Sequence, residues 1–137
     1  MTQEEKDLIY KDACCRLPYR PYAAYTLKDG TIVQAQLTGA DNGQYYGYIL
    51  DTWGHFSVYD VKLYLRSMSN IHKDSVYIWY VNTLNIIRCC SMNFEDEKVV
   101  KYLQELQTWL ISRHYDINHL LERNLAFEAP EGMYKIS

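Results

Sequence analysis

The alternation of hydrophobic and polar residues predicts a run of antiparallel strands, a β meander, over residues 22–66. The alternation is clearest in residues 31–38, where Val33, Ala35 and Leu37 would share one face and polar side chains the other. Turn signals separate the strands at Asp29-Gly30, Asp41-Asn42-Gly43 and Trp53-Gly54. The glycine in the middle of the third strand, Gly47, indicates a bulge or a close approach by another segment.

Helical patterns flank this meander on both sides. The capping-box sequence that begins at Thr2 predicts a helix over 3–16, which Pro18 ends. An apolar stripe of Val99, Leu103, Leu106 and Leu110 predicts a helix over 94–114. Asp116 is a suitable N-cap for a short helix over 117–123.

The remaining segments are a second apolar stretch and the C-terminal tail. Residues 75–81 (SVYIWYV) are apolar on both sides, which predicts a central strand covered on both faces or paired at an interface. The pattern continues as a returning strand to residue 89, with a continuous buried helix over 82–90 as the alternative. In the tail, 124–137, Asn124 suits a left-handed turn and residues 125–128 can form a last strand.

Together these elements predict an α+β fold in one domain spanning residues 1–137. Its centre would be a bent antiparallel sheet of about five or six strands, with a small barrel-like form as an alternative. An N-terminal helix and a C-terminal helical pair would cover the sheet.

Composition narrows the function classes. The net charge of −3 argues against a role in coating nucleic acid and against double-stranded nucleic acid as a partner. No apolar run approaches the ~20 residues that span a bilayer, so we expect no membrane contact. The N-terminus lacks a secretory signal, and the cysteines form two adjacent pairs, Cys14-Cys15 and Cys89-Cys90. We therefore expect a cytoplasmic protein with free thiols.

No motif for catalysis, for phosphate binding or for a structural metal stands out, so the sequence favours a non-enzymatic protein without cofactor or metal. Cys89 and Cys90 precede a predicted helix start, which is the better electrostatic position for a reactive thiol. An enzyme that uses one of them as a nucleophile remains an alternative.

Four stretches of the chain resemble a family of small proteins encoded by phages and integrated elements of anaerobic gut bacteria. The phrase EAPEGMY at 128–134 is the most specific part of the pattern. The resemblance implies a phage-type accessory protein that acts inside a bacterial cell, and it implies no activity, ligand or catalytic residue. The stretches that carry the resemblance are Lys11–Tyr19, Asp60–Ser69, Tyr115–Arg123 and Leu125–Tyr134.

These observations predict a protein-interaction module whose partner is a host factor or a second copy. Tyrosine, at 14 residues, suits either half-buried sheet faces or a binding surface, and the sequence leaves both readings open. The candidate recognition residues on the sheet are Tyr45, Tyr46, Tyr48 and Tyr59. The alternative is a domain that binds a nucleotide or another small anion through an arginine- and tyrosine-rich surface. Its candidate residues are Arg16, Arg20, Lys28 and Arg66 for the anion, with Tyr19, Tyr22 and Tyr25 to stack on a base.

Overall fold

The structure is a computed structural model that describes residues 2–49, 51–57, 60–74, 77–89 and 97–134. It has the predicted α+β architecture, with an N-terminal helix, a bent six-stranded sheet and further helices after the sheet. The first helix, α1, spans Gln3–Arg16 as predicted. Its capping box is formed, because Glu5 N donates to Thr2 Oγ1 at 3.1 Å and Thr2 N donates to Glu5 Oε1 at 3.0 Å.

The sheet follows α1 and is open, which excludes the barrel-like alternative. Its strands are β1 (Tyr22–Thr26), β2 (Ile32–Asp41), β3 (Gln44–Ile49), β4 (Thr52–Ser57), β5 (Val61–Leu65) and β6 (Phe127–Glu128). They lie in the order β4-β3-β2-β1-β5-β6. The first five strands pair antiparallel, but β6 runs parallel to β5, so the sheet is mixed rather than wholly antiparallel.

The β2–β3 hairpin contains the irregularity that Gly47 indicated. The register between the two strands shifts between Leu37 and Gly39, opposite Gly47 and Tyr46. A Cβ atom on Gly47 would collide with the backbone carbonyl of Gln36, so the strands approach too closely for any larger residue. The prediction of a bulge or close approach at this glycine is confirmed.

Replacing Gly47 with alanine is therefore expected to lower the free energy of unfolding by about 1–3 kcal/mol, because the backbone must shift to admit the methyl group. Gly54 is the matched control, since it pairs directly with Gly47 and has no atom within 4 Å of a Cβ built on it. Urea unfolding of Gly47→Ala and Gly54→Ala measures the difference. Equal effects of the two substitutions would contradict the close approach at Gly47.

The main core lies between α1 and the inner face of the sheet. Ile9 and Ala13 of α1 pack against the alternating apolar residues of β2, Ala35 and Leu37, while the intervening glutamines are more exposed. An aromatic pair extends this core, because Tyr10 stacks on Tyr45 with ring centroids 5.8 Å apart. Other apolar residues complete the core. These further buried residues are Phe56, Val61, Leu63, Leu65, Leu120, Leu125 and Ala126.

A second core joins two helices that follow the sheet, α2 (Tyr77–Cys89) and α3 (Glu97–Ser112). The prediction of strands over 75–89 is wrong for the described residues, because 77–89 form one helix. Tyr80, Leu84 and Ile87 follow a helical spacing and pack against the core that Leu106 and Leu110 of α3 form. Packing of this stripe therefore outweighs the strand propensity of the aromatic and β-branched residues.

The segment after α3 also differs from expectation. The predicted helix over 94–114 is observed as Glu97–Ser112, and 94–96 lie outside the described residues. The predicted helix over 117–123 is wrong: the chain forms turns there, because His119 has a φ of 57°. The left-handed turn predicted at Asn124 is confirmed by its φ of 57°. Asp116 still caps, since its carboxylate accepts from the backbone amides of Leu120 and Leu121 at 2.9 and 3.0 Å.

Candidate functional site

The most prominent exposed surface lies on α2 and its neighbour α3. One stripe of α2 packs inward, and the opposite side exposes apolar side chains beside Asn82 and Asn85: Ile78 is 75% exposed and Trp79 is 40% exposed. Soluble proteins rarely leave clustered side chains of this size in water unless they contact a partner. We call this surface the helical apolar face, and it consists of Ile78, Trp79 and Ile86.

A groove of about 540 Å³ adjoins the helical apolar face. Its aromatic wall is formed by Trp79, Trp109 and Tyr19, with the two indole rings 5.2 Å apart. Its other wall is the exposed stripe of α3, where positions three and four residues apart share one side of the helix. The residues of this wall are Lys101, Gln104, Glu105, Thr108 and Ser112.

A second exposed surface covers the outer side of β3 and β4. Tyr48 pairs across the strands with Trp53, and Tyr46 pairs with His55. The Trp53 and His55 rings meet edge to face at 4.8 Å, and the Tyr46 ring lies over Gly39. The rings of Tyr46, Trp53 and His55 therefore contact one another at one end of the sheet, without a covering element in the described part of the chain.

A buried ion pair within α1 is hydrogen-bonded to the C-terminal segment. Arg16 is fully buried, and its Nε donates to Asp12 Oδ2 at 2.8 Å. Arg16 Nη2 also donates to the Tyr115 carbonyl at 2.6 Å, and Asn118 Nδ2 donates to Asp12 Oδ1 at 2.7 Å. Because both charges are out of water, each depends on the other for compensation. This network is a structural clamp rather than a ligand site.

His114 lies next to this clamp in an unusual environment. It has a φ of 64°, is buried, and stacks on Tyr134 with ring centroids 3.7 Å apart. Burial, together with the positive charges of Arg16 and Arg66, lowers its pKa to about 4. The imidazole is therefore neutral at physiological pH.

Tyr134 itself joins two strands where their pairing ends. Antiparallel pairing of β1 with β5 stops at Ala23 and Leu63. Beyond that point the Tyr134 hydroxyl accepts from the backbone amide of Tyr22 at 2.8 Å and donates to the carbonyl of Tyr64 at 2.7 Å. A side chain from the tail thus satisfies peptide groups that the diverging strands leave open.

A polar cleft of about 560 Å³ lies between the end of β5 and the tail. It contains two cations, Arg66 and Lys73, and two carboxylates, Glu128 and Glu131. Arg66 is already engaged there, because its guanidinium lies 3.4 Å from Asp74 and 4.3 Å from the centre of the Tyr115 ring. The cleft therefore has no excess of either charge.

The residues predicted to form a recognition or ligand site do not form one surface. Tyr45 is fully buried in the main core and Arg16 is fully buried in the clamp, so neither belongs to an exposed surface. Of the others, Tyr46 and Tyr48 lie on the outer side of β3, Tyr19 lines the helical groove and Arg66 lines the polar cleft. Arg20 is exposed, and Tyr59 lies outside the described residues.

Two exposed tryptophans escaped the sequence reasoning. Trp53 was assigned to a turn, but it lies in β4, where its alternation with Phe56 on the opposite face was the available signal. Trp79 was assigned to a covered strand. Its segment is apolar on both sides, which indicated two buried faces. In the described structure only one side of α2 packs into the second core.

Metal and thiol chemistry receive little support from the described residues. In that part of the chain no three His, Cys, Asp or Glu side chains are grouped as a metal ion requires. Cys14 is half-buried and Cys15 exposed, both as free thiols. Burial raises the pKa of the Cys14 thiol, which disfavours the reactive thiolate. The Cys89 side chain and Cys90 lie outside the described residues.

No helix in the described residues is long and apolar enough to cross a bilayer. Comparison with protein-family models, with curated proteins and with solved structures finds no match to this chain.

Proposed function

We propose that this protein is a non-enzymatic interaction module that binds another protein through the helical apolar face. The observation that carries this proposal is the exposure of Ile78, Trp79 and Ile86 on the side of α2 that faces away from the second core in the described part of the chain. Ile78 and Trp79 are exposed to solvent on this side, beside the groove that has one aromatic wall. Exposed apolar clusters of this kind mark protein contacts, and tryptophan and tyrosine are enriched among the residues that dominate binding energy.

The alternative of a nucleotide or small-anion site receives less support from the geometry. Arg16 is bound to Asp12 and Arg66 lies against Asp74, so two of its three arginines already have carboxylate partners. A bound anion would have to displace those carboxylates. The resemblance to phage-encoded proteins adds a factor of the bacterial host as the expected class of partner.

Replacing Ile78 with glutamate is expected to weaken binding of a host partner by about thirtyfold or more, because a charge would enter the centre of an apolar contact. The partner is first captured from host lysate with the wild-type chain and then purified for titration calorimetry. Since Ile78 is 75% exposed, the fold should tolerate the change, which circular dichroism checks.

The matched control for this experiment is Ile32→Glu. Ile32 is 56% exposed at the start of β2, away from the helical apolar face. It undergoes the same chemical change and should leave binding within about twofold, as surface substitutions away from an interface do. Binding that survives Ile78→Glu, or that Ile32→Glu weakens equally, would exclude the helical apolar face as the binding site.

A further inference from the structure

The groove beside the helical apolar face has one opposite pair of charges on its α3 wall. Lys101 and Glu105 are exposed, lie one helical turn apart and both line the groove. Within the described residues neither has a salt-bridge partner in its own chain. A groove with this lysine and glutamate on one wall is complementary to a helix that presents a glutamate opposite Lys101 and a lysine opposite Glu105.

A second copy of α3 presents these complementary charges when the two helices run antiparallel. Two α3 helices that lie antiparallel about a two-fold axis at the level of residue 103, midway between the charges, place Lys101 of each copy opposite Glu105 of the other. The contact is isologous, so the same ion pair forms twice.

We propose that the partner at this groove is a second copy of the chain, held by an antiparallel contact between the two α3 helices. This inference rests on the proposed function, and it takes a second copy of the chain, in place of a host factor, as the protein bound at the groove. The aromatic wall of the groove supplies the apolar contact area. The two Lys101–Glu105 pairs set the direction and register of the helices. A foreign helix with its own charge pattern is the competing occupant.

Charge reversal tests the contact directly. Lys101→Glu leaves two acidic residues on the α3 wall and Glu105→Lys leaves two basic residues. Each single variant places like charges opposite each other twice in a dimer, so its dimer affinity is expected to fall at least about tenfold. Mixing the two single variants restores opposite charges at both positions. The mixture is therefore expected to recover dimer affinity to within about threefold of wild type.

Sedimentation equilibrium of the full chain over a wide range of concentrations gives the readout, because a dimer has twice the 16.2 kDa mass of one chain. Lys28→Glu and Glu122→Lys are the controls. They make the same changes of charge at exposed positions in turns that do not line the groove, and they should leave the dimer affinity unchanged.

A wild-type chain that remains monomeric at all concentrations overturns the self-association, as does a mixture of single variants that fails to dimerise better than either alone. Neither result touches the proposed function, which is tested separately by the binding of a captured host protein to Ile78→Glu and Ile32→Glu. A monomer that captures a host protein through the intact helical apolar face would identify the competing occupant.

Discussion

Replacing Asp12 with asparagine is expected to lower the free energy of unfolding by about 3 kcal/mol or more, since it leaves the buried Arg16 guanidinium without a counter-charge. The substitution keeps the size and shape of the side chain, so it isolates the charge. Arg16 cannot shed its proton at accessible pH, and at zero exposure it cannot regain hydration without unfolding. Urea unfolding followed by tryptophan fluorescence measures the loss.

Two further variants separate the ion pair from general damage to α1. Asp7→Asn is the matched control, because Asp7 is exposed on the same helix and accepts only from Gln3 there, so its effect should stay within about 0.5 kcal/mol. Combining Asp12→Leu with Arg16→Met removes both charges and should cost less than the two single changes added together. Additive losses would mean that the two charges do not compensate each other.

Acid is expected to destabilise the protein through His114. Its pKa is about 4 when folded and 6.5 in an unfolded chain, so between these values the unfolded state binds a proton that the folded state excludes. Stability therefore falls as the pH is lowered from about 6.5 to about 4, by a total on the order of 3 kcal/mol. Above pH 6.5 this residue contributes no pH dependence.

The His114 contribution is measured as a difference between variants. His114→Asn removes the titrating group and retains a residue that tolerates a φ of 64°, so the difference in slope from wild type isolates the imidazole. His119→Asn is the matched control, since His119 also has a positive φ but is exposed. Parallel stability–pH curves for wild type and His114→Asn would show that burial of this histidine is not linked to folding.

Local signals in the sequence were sufficient for α1, for the two faces of β2 and for the irregular β2–β3 pairing. The capping box at Thr2, the alternation in 31–38 and the glycine at 47 each act through neighbours in the chain or through one strand pairing. Such features need no knowledge of distant contacts. The helix α1, the β2 faces and the bulge opposite Gly47 were accordingly predicted where the structure has them.

The later half depends on contacts that are remote in sequence. Residues 77–81 carry strand-forming side chains, yet they are helical because Tyr80, Leu84 and Ile87 form a stripe that packs with α3. The turns at 117–124 replace a helix because two residues there adopt positive φ, which sequence indicated only for Asn124. The local sequence pattern predicts neither the packing of α2 against α3 nor the conformation of His119.

The candidate site shows the same division. Tyr46 and Tyr48 share a face because they are two residues apart in a strand, and by the same rule Tyr45 points to the opposite side, into the core. The burial of Arg16 had a local hint in the four-residue spacing from Asp12, but its contact with the Tyr115 carbonyl joins residues 99 apart. Only the folded chain shows that this arginine is a clamp.

The contact of Tyr134 with β1 and β5 also has a consequence for how the tail is observed. The amide hydrogen of Tyr22 is held by a phenol from the tail rather than by another strand. Its exchange with solvent requires only that Tyr134 withdraw, whereas the neighbouring amides of β1 stay protected until the sheet itself opens. The exchange rate at this one position is thus a local measure of how often the tail leaves the sheet.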